Sequence, residues 1–177
     1  MKAERDAIEE ATHIWNDLHS KDFRAVLLPV MWEKHAAPLM GARPQAIINK
    51  QLVETCDILI GVFWSRIGTN TGIARSGTVE EIEEFIRSRR PVMLYFSSAP
   101  IELSRVDKGQ YDALSEFKQK CREAGLVWPY KTVDELKESL IRQLTIVMRE
   151  IHGGPETHYY KEAKMAFEDI KTFSEAK

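Results

Sequence analysis

Two segments constrain this chain more than any others: "DILIGVFW" at 57–64 and "PVMLYF" at 91–96. Both are almost wholly apolar, and both are too short for ordinary helices. An unbroken apolar strand needs cover on both faces, which marks a central strand of a parallel sheet between helix layers. Between them, Val79, Ile82, Phe85 and Ile86 recur at helical spacing within a helix expected over 79–89. Strand, helix and strand in that order predict a parallel pair joined by a crossover helix.

The rest of the chain extends this alternation. Ile8, Ala11, Ile14, Trp15 and Leu18 place an apolar stripe on a helix over 3–19. "AVLLPVMW" at 25–32 reads as a strand. Pro29 has no amide to donate, so that strand belongs at a sheet edge or carries a bulge. Pro44 suits the first turn of a helix with Ile47, Ile48 and Leu52 on its apolar face. A helix over 108–123 turns Tyr111, Leu114, Phe117 and Cys121 inward, and "LVWPY" at 126–130 forms a short strand. Thr132 opens a helix carrying Leu136, Leu140, Leu144 and Val147, which "GGP" at 153–155 stops, and a last helix covers 156–174. The expected fold is α/β, a three-layer sandwich with a mainly parallel sheet. One domain spans 1–152, and residues 153–177 form a C-terminal helix that packs on it or extends from it.

Composition excludes several classes. The 177 residues carry a formal net charge of −2. A protein that reads a nucleic-acid backbone is ordinarily basic, so no nucleic-acid partner is expected. No apolar run reaches the ~18 residues that span a bilayer, so no membrane partner is expected. Cys56 and Cys121 are far apart and in no metal spacing, which reads as two reduced, buried thiols of a cytoplasmic protein. The segment "MKAERDAIEEA" has no apolar core of a signal peptide. The five histidines show no metal spacing, and only His35 falls on an expected ligand rim. Neither phosphate-cradle fingerprint, GxxxxGK[ST] or GxGxxG, occurs, and no cofactor or metal is expected.

Ligands of open parallel sheets sit beyond the carboxyl ends of the strands. Here that rim is built by the loops after Trp32, Trp64 and Phe96. The loop from Ser65 to Gly77 is long for a β-to-α connection, which usually takes ~2–6 residues. It holds Arg66, Gly68, Thr69, Asn70, Thr71, Gly72, Arg75 and Gly77. It is either a ligand loop or a plain connection. Trp32 and Trp64 either stack on a ring or close the core. Thr78 and Glu81 have the spacing of a capping box, and Glu83 and Arg87 that of an i,i+4 ion pair. That structural account covers nearly every residue of the helix start. The same placement also puts Glu81 in a first helical turn at the ligand rim, where a carboxylate can face a sugar.

Taken together, "GARPQAIINKQLVETCDILIGVFWSRIGTNTG" and "SGTVEEIEEFIRSRRPVMLYFSSAPI" resemble the TIR-like, nucleoside 2-deoxyribosyltransferase-like domains of bacteria. The likeness runs from residue 1 to about 145. It implies a flavodoxin-like fold with strand order 2-1-3-4-5. It also implies an N-glycosidase or glycosyltransferase acting on a nucleoside, nucleotide or NAD. In such enzymes a glutamate answers positive charge at the anomeric carbon, as in retaining glycosidases. By this resemblance Glu81 is the catalytic residue and Arg90 the basic residue before the next strand. Trp32, Trp64, Arg66, Gly68, Asn70, Gly77 and Thr78 would line the substrate site, with Arg66 and Asn70 near Glu81. The pattern differs in three places: Arg75 lies where the family has an aspartate, Glu83 where it has a small residue, and the Trp-Cys pair that precedes the glutamate in many TIR enzymes is absent. A non-catalytic TIR-like interaction module is the alternative. The family opens with a strand before the first helix, so the resemblance implies that this first strand is missing here. The expected responses are direct pairing of 25–32 with 57–64, or a homodimer.

Overall fold

The computed structural model describes residues 1–31, 35, 37, 40–41, 44–68, 76–102, 104 and 106–152. The expected helix at 156–174 lies outside the described residues. By its contacts the chain divides into two compact units, one of residues 1–29 and 130–158, the other of residues 30–129 and 159–177.

In the second unit, strands β1 (Leu59–Phe63) and β2 (Val92–Ser97) pair in parallel, from Leu59 opposite Val92 to Phe63 opposite Phe96. A short β3 (Trp128–Tyr130) completes a sheet of order β1-β2-β3. The fold is therefore α/β with a mainly parallel sheet. Helices α2 (Pro44–Gln51), α3 (Gly77–Arg87) and α4 (Lys108–Ala124) accompany the strands, with a 3-10 turn at Val53–Thr55. Phe63, Ile67, Val79, Ile82, Phe96, Leu114, Phe117 and Cys121 form one buried cluster between sheet and helices. Its centre is aromatic. Phe63 stacks on Phe96 with ring centroids 5.1 Å apart and meets Phe117 at 5.4 Å. Gly61 lets α3 and β2 approach closely, since a Cβ there would lie 2.8 Å from Leu94 Cδ2 and 3.6 Å from Ile82 Cδ1.

The place of β1 corrects the sequence reading. It lies at the edge of the described sheet, and Leu59, Ile60 and Val62 are only half-buried. Among the described residues no strand pairs with its outer side, so within the described sheet β1 is an edge strand and not the central one that its apolar run predicts.

In the first unit, α1 (Lys2–Phe23) and α5 (Val133–His152) pack together. Ala7, Ala11, Thr12 and Trp15 are the buried stripe of α1, while Leu18, expected to be inward, is exposed. Leu136, Ser139, Leu140, Leu144 and Met148 are the buried stripe of α5. Trp15 Nε1 donates to Thr145 Oγ1 at 3.0 Å, and Lys137 Nζ meets Glu10 at 3.2 Å. Thr132 Oγ1 accepts from the Glu135 amide at 3.2 Å and so opens α5 as expected.

Residues 25–31 form no strand, and among the described residues no strand pairing joins them to 57–64. The physical reason lies in α1. Asn16 Nδ2 donates to the Leu27 carbonyl, and Asn16 Oδ1 accepts from the Leu27 amide, both at 2.8 Å. One side-chain amide thus takes the role that a neighbouring strand's backbone would play. Val26, Leu28 and Val30 are exposed, while Ala25, Leu27, Pro29 and Met31 between and beside them are half-buried.

Candidate active site at the carboxyl ends of β1 and β2

The chain leaves β1 at Trp64 and leaves β2 at Ser98, and the two loops are tied to each other. Trp64 Nε1 donates to the Ala99 carbonyl at 3.2 Å, with 37% of the residue exposed. Arg66 reaches Asp107 Oδ2 at 3.5 Å. The Gly68 amide donates to Gln110 Oε1 at 3.1 Å. Asp107 is also the N-cap of α4, its Oδ1 accepting from the Gln110 amide at 3.1 Å. These contacts make one continuous rim beyond the carboxyl ends of two parallel strands, the place where such sheets hold ligands.

Gly68 has φ of +113°, a left-handed conformation that side chains resist, and a Cβ there would lie 3.0 Å from Ser76 Cβ. Gly68 thus lies close against Ser76, the residue before α3. Ser76 is fully buried and extended, and its Oγ accepts from the Val79 amide at 3.1 Å. Ser76 is therefore the N-cap, and the expected Thr78–Glu81 capping box does not form. Gly77 and Thr78 are the first two residues of the helix, and both are half-buried. Glu81 lies in the second turn, not the first, and is half-buried. Glu83 is 8% exposed, and Arg87 pairs at 2.6 Å with Glu84 in place of Glu83. Burial explains the change, because a surface guanidinium reaches the more exposed of two adjacent carboxylates.

Arg90 has a role at the other end of α3. Its Nη1 donates to the Cys56 carbonyl at 2.6 Å and the Glu54 carbonyl at 3.2 Å, and its guanidinium lies 4.0 Å above the Phe85 ring. It thereby fastens the turn that feeds β1. Arg90 stands just before β2, as expected, and so at the amino ends of the strands.

Of the remaining site residues, Trp32 and Asn70 lie outside the described residues, as do Thr69, Thr71, Gly72 and Arg75. His35 is exposed, and its Nδ1 lies 3.0 Å from the Met31 amide nitrogen in a local turn. Sequence reasoning missed Ser76, Asp107 and Gln110. A signal for two of them was present, since Asp107 and Gln110 have the spacing of a capping box.

Burial pushes the Cys121 thiol up to about 12 and raises Tyr95 further still. Cys56 is raised first by burial and then by Asp57, while Arg90 and Thr55 act the other way. Lys118 is lowered by burial and then by Arg122, and its Nζ lies 5.2 Å over the Phe96 ring. Neither thiol is set up as a nucleophile, because each favours its neutral form more than a free cysteine does. Among the described residues, no three histidine, cysteine or acidic side chains converge as a metal site. No helix of the described residues is long and apolar enough to cross a membrane. The rim itself offers an indole, a guanidinium and the start of a helix that carries a half-buried carboxylate.

No curated protein and no solved structure matches the chain significantly. One family covers it from residue 1 to residue 145, and by that match the chain belongs to the family described as Domain of unknown function (DUF4062).

Proposed function

We propose that this domain takes a nucleoside, a nucleotide or NAD at the carboxyl-end rim and acts on its N-glycosidic bond through Glu81. One observation carries the reading. Glu81 stands half-buried in the second turn of the helix that opens at the rim, where Gly68 lies close to Ser76. A carboxylate so placed can stabilise positive charge at an anomeric carbon or attack it. Trp64, partly exposed on the same rim, offers a face for a base. Arg66 offers a guanidinium for a phosphate.

The test is release of free nicotinamide or nucleobase from NAD and a nucleoside panel, followed by chromatography. Glu81→Gln is expected to abolish release. Glutamate and glutamine are comparable helix formers, so its stability should stay within about 1 kcal/mol of the parent. Full activity in the Gln variant would remove Glu81 from the mechanism. An inactive parent would favour the second reading, a non-catalytic interaction module. That reading has its own support in Val26, Leu28 and Val30, which are 64%, 78% and 42% exposed in a row of alternating residues. Exposed apolar rows of this kind are suited to partner docking.

A further inference from the structure

In the first unit α1 and α5 run parallel and in step. Lys137 meets Glu10, Thr145 bonds to Trp15, and His152 meets Phe23, each pair farther along both helices. His19, one turn beyond Trp15, therefore stands level with Arg149, one turn beyond Thr145. At this junction lies an open groove of about 500 Å³, and His19, Thr145 and Arg149 are among its lining residues. Clefts that hold small molecules commonly have volumes of ~300–1,000 Å³.

The lining is polarised. Glu138, Arg142, Thr145 and Arg149 recur at spacings of four, three and four, which puts them on one stripe of α5. Thr145 is committed to the protein, since its Oγ1 accepts from Trp15 Nε1 at 3.0 Å and donates to the Ile141 carbonyl at 3.2 Å. Arg142 and Arg149 stand exposed one turn to either side of it, and among the described residues neither guanidinium has an ion-pair partner. His19 is half-buried and held by ring contacts to Trp15 at 5.5 Å and Phe23 at 6.2 Å. The carboxylate of the lining, Glu138, lies one turn beyond Arg142, at the end away from His19. Ile141 and Ile146 flank the stripe on its two sides, the first half-buried and the second 52% exposed.

Charge decides what such a groove can take. A cation at the His19 end would face two guanidiniums. A neutral apolar ligand would strip water from them and return no hydrogen bond. An oxyanion suits both the fork of a guanidinium and an imidazole N–H. We propose that this groove binds an amphipathic organic anion. Its head sits on Arg149 and His19, and its apolar body runs back over Thr145 between Ile146 and Ile141. Arg142 adds to the positive field, and Glu138 opposes it from the far end. The inference stands apart from the chemistry assigned to Glu81.

The experiment is isothermal titration calorimetry of the full chain with octanoate and octyl phosphate, which present the two common oxyanion heads. Acetate, inorganic phosphate and octylammonium are the controls for head alone and for reversed charge. At least one octyl anion should bind about tenfold or more tighter than its head alone and than octylammonium. Arg149→Glu should weaken that binding by roughly tenfold or more, and Ile146→Ser by about threefold. Glu138→Gln removes the opposing charge and should tighten binding by about twofold. These positions are exposed, so circular dichroism and melting should be unchanged and should separate lost binding from lost folding. Arg66→Ala, in the other unit, should leave the affinity as it is, which keeps this site distinct from the rim. A parent that binds neither octyl anion would overturn the proposal. So would equal affinity for octylammonium, indifference to Arg149→Glu, or loss of binding in Arg66→Ala.

Discussion

Removing the Ser76 hydroxyl tests the register of the whole site. Ser76 is fully buried, and its Oγ is 3.1 Å from the Val79 amide that it caps. Ser76→Ala leaves that amide without its acceptor at a place water does not reach. Loss of an N-cap costs ~0.5–2 kcal/mol, and leaving a buried donor unpaired costs ~1–3 kcal/mol. Both ranges describe the same bond, so they are not added, and the expected loss is about 2 kcal/mol. For a chain of this length ~1 kcal/mol corresponds to ~2–4 °C, which gives a fall in Tm of about 4–8 °C. Thr78→Ala is the matched control. Thr78 is the second residue inside α3, where alanine is the better helix former, so its effect should stay within about 0.5 kcal/mol. Thermal and urea unfolding followed by circular dichroism at 222 nm would read both. If Thr78→Ala costs more than Ser76→Ala, the cap lies at Thr78 and Glu81 returns to the first turn. The two registers differ by two residues, about 3 Å along the helix, which is enough to move a carboxylate out of reach of a sugar carbon.

Two further outcomes follow from the packing. Asn16→Ala removes both hydrogen bonds to Leu27, and at ~0.5–1.5 kcal/mol each should lower stability by about 1–3 kcal/mol. Amide exchange at Leu27 should quicken with it, and unchanged exchange there would show that Asn16 does not hold the segment. Cys121 ordinarily titrates at 9.0 and is pushed up to about 12 in the fold. Above pH 9 the unfolded chain therefore loses this proton first and stability falls, by at most ~1.4 kcal/mol per pH unit from this one group. Urea midpoints between pH 8 and 11 should decline in the parent and decline less in Cys121→Ala, and equal slopes would refute the assignment.

The frame was legible in the sequence because it rests on repeated, redundant signals. The apolar runs at 57–64 and 91–96, the helix between them and the Thr132 helix start each involve several residues, so no single contact overrides them. The observed β1, α3, β2 and α5 accordingly lie within about two residues of their expected bounds. Readings that turned on one residue fared differently. The segment 25–32 has strand composition, but whether it becomes a strand depends on what bonds to its backbone, and Asn16 satisfies Leu27 from a helix. Ser76 and Thr78 are both competent caps by type. The choice fell to Ser76, and a burial that no local pattern reports accompanies it. The pairing of Arg87 with Glu84 was settled in the same way, by which neighbouring carboxylate is buried.

The position of Arg90 narrows what the proposed site can use. Helix α3 runs from the carboxyl ends of the strands to their amino ends, so Glu81 lies six helical positions, about 9 Å of rise, before the last helical residue Arg87, and Arg90 lies beyond that end. Arg90 is committed to the carbonyls of Glu54 and Cys56, and moving it would release the turn before β1. A phosphate on the proposed substrate must therefore find its cation elsewhere, and among the described rim residues Arg66 is placed for it. Arg66 is engaged with Asp107 at 3.5 Å, with the two side chains 66% and 50% exposed. Ion pairs so open to water are worth ~0–1 kcal/mol, which is less than a charge-assisted contact from guanidinium to phosphate returns. Asp107 keeps its other oxygen on the Gln110 amide, so α4 stays capped when Arg66 leaves. On the proposed reading, the pair is a resting contact that a nucleotide can displace without disturbing the helix behind it.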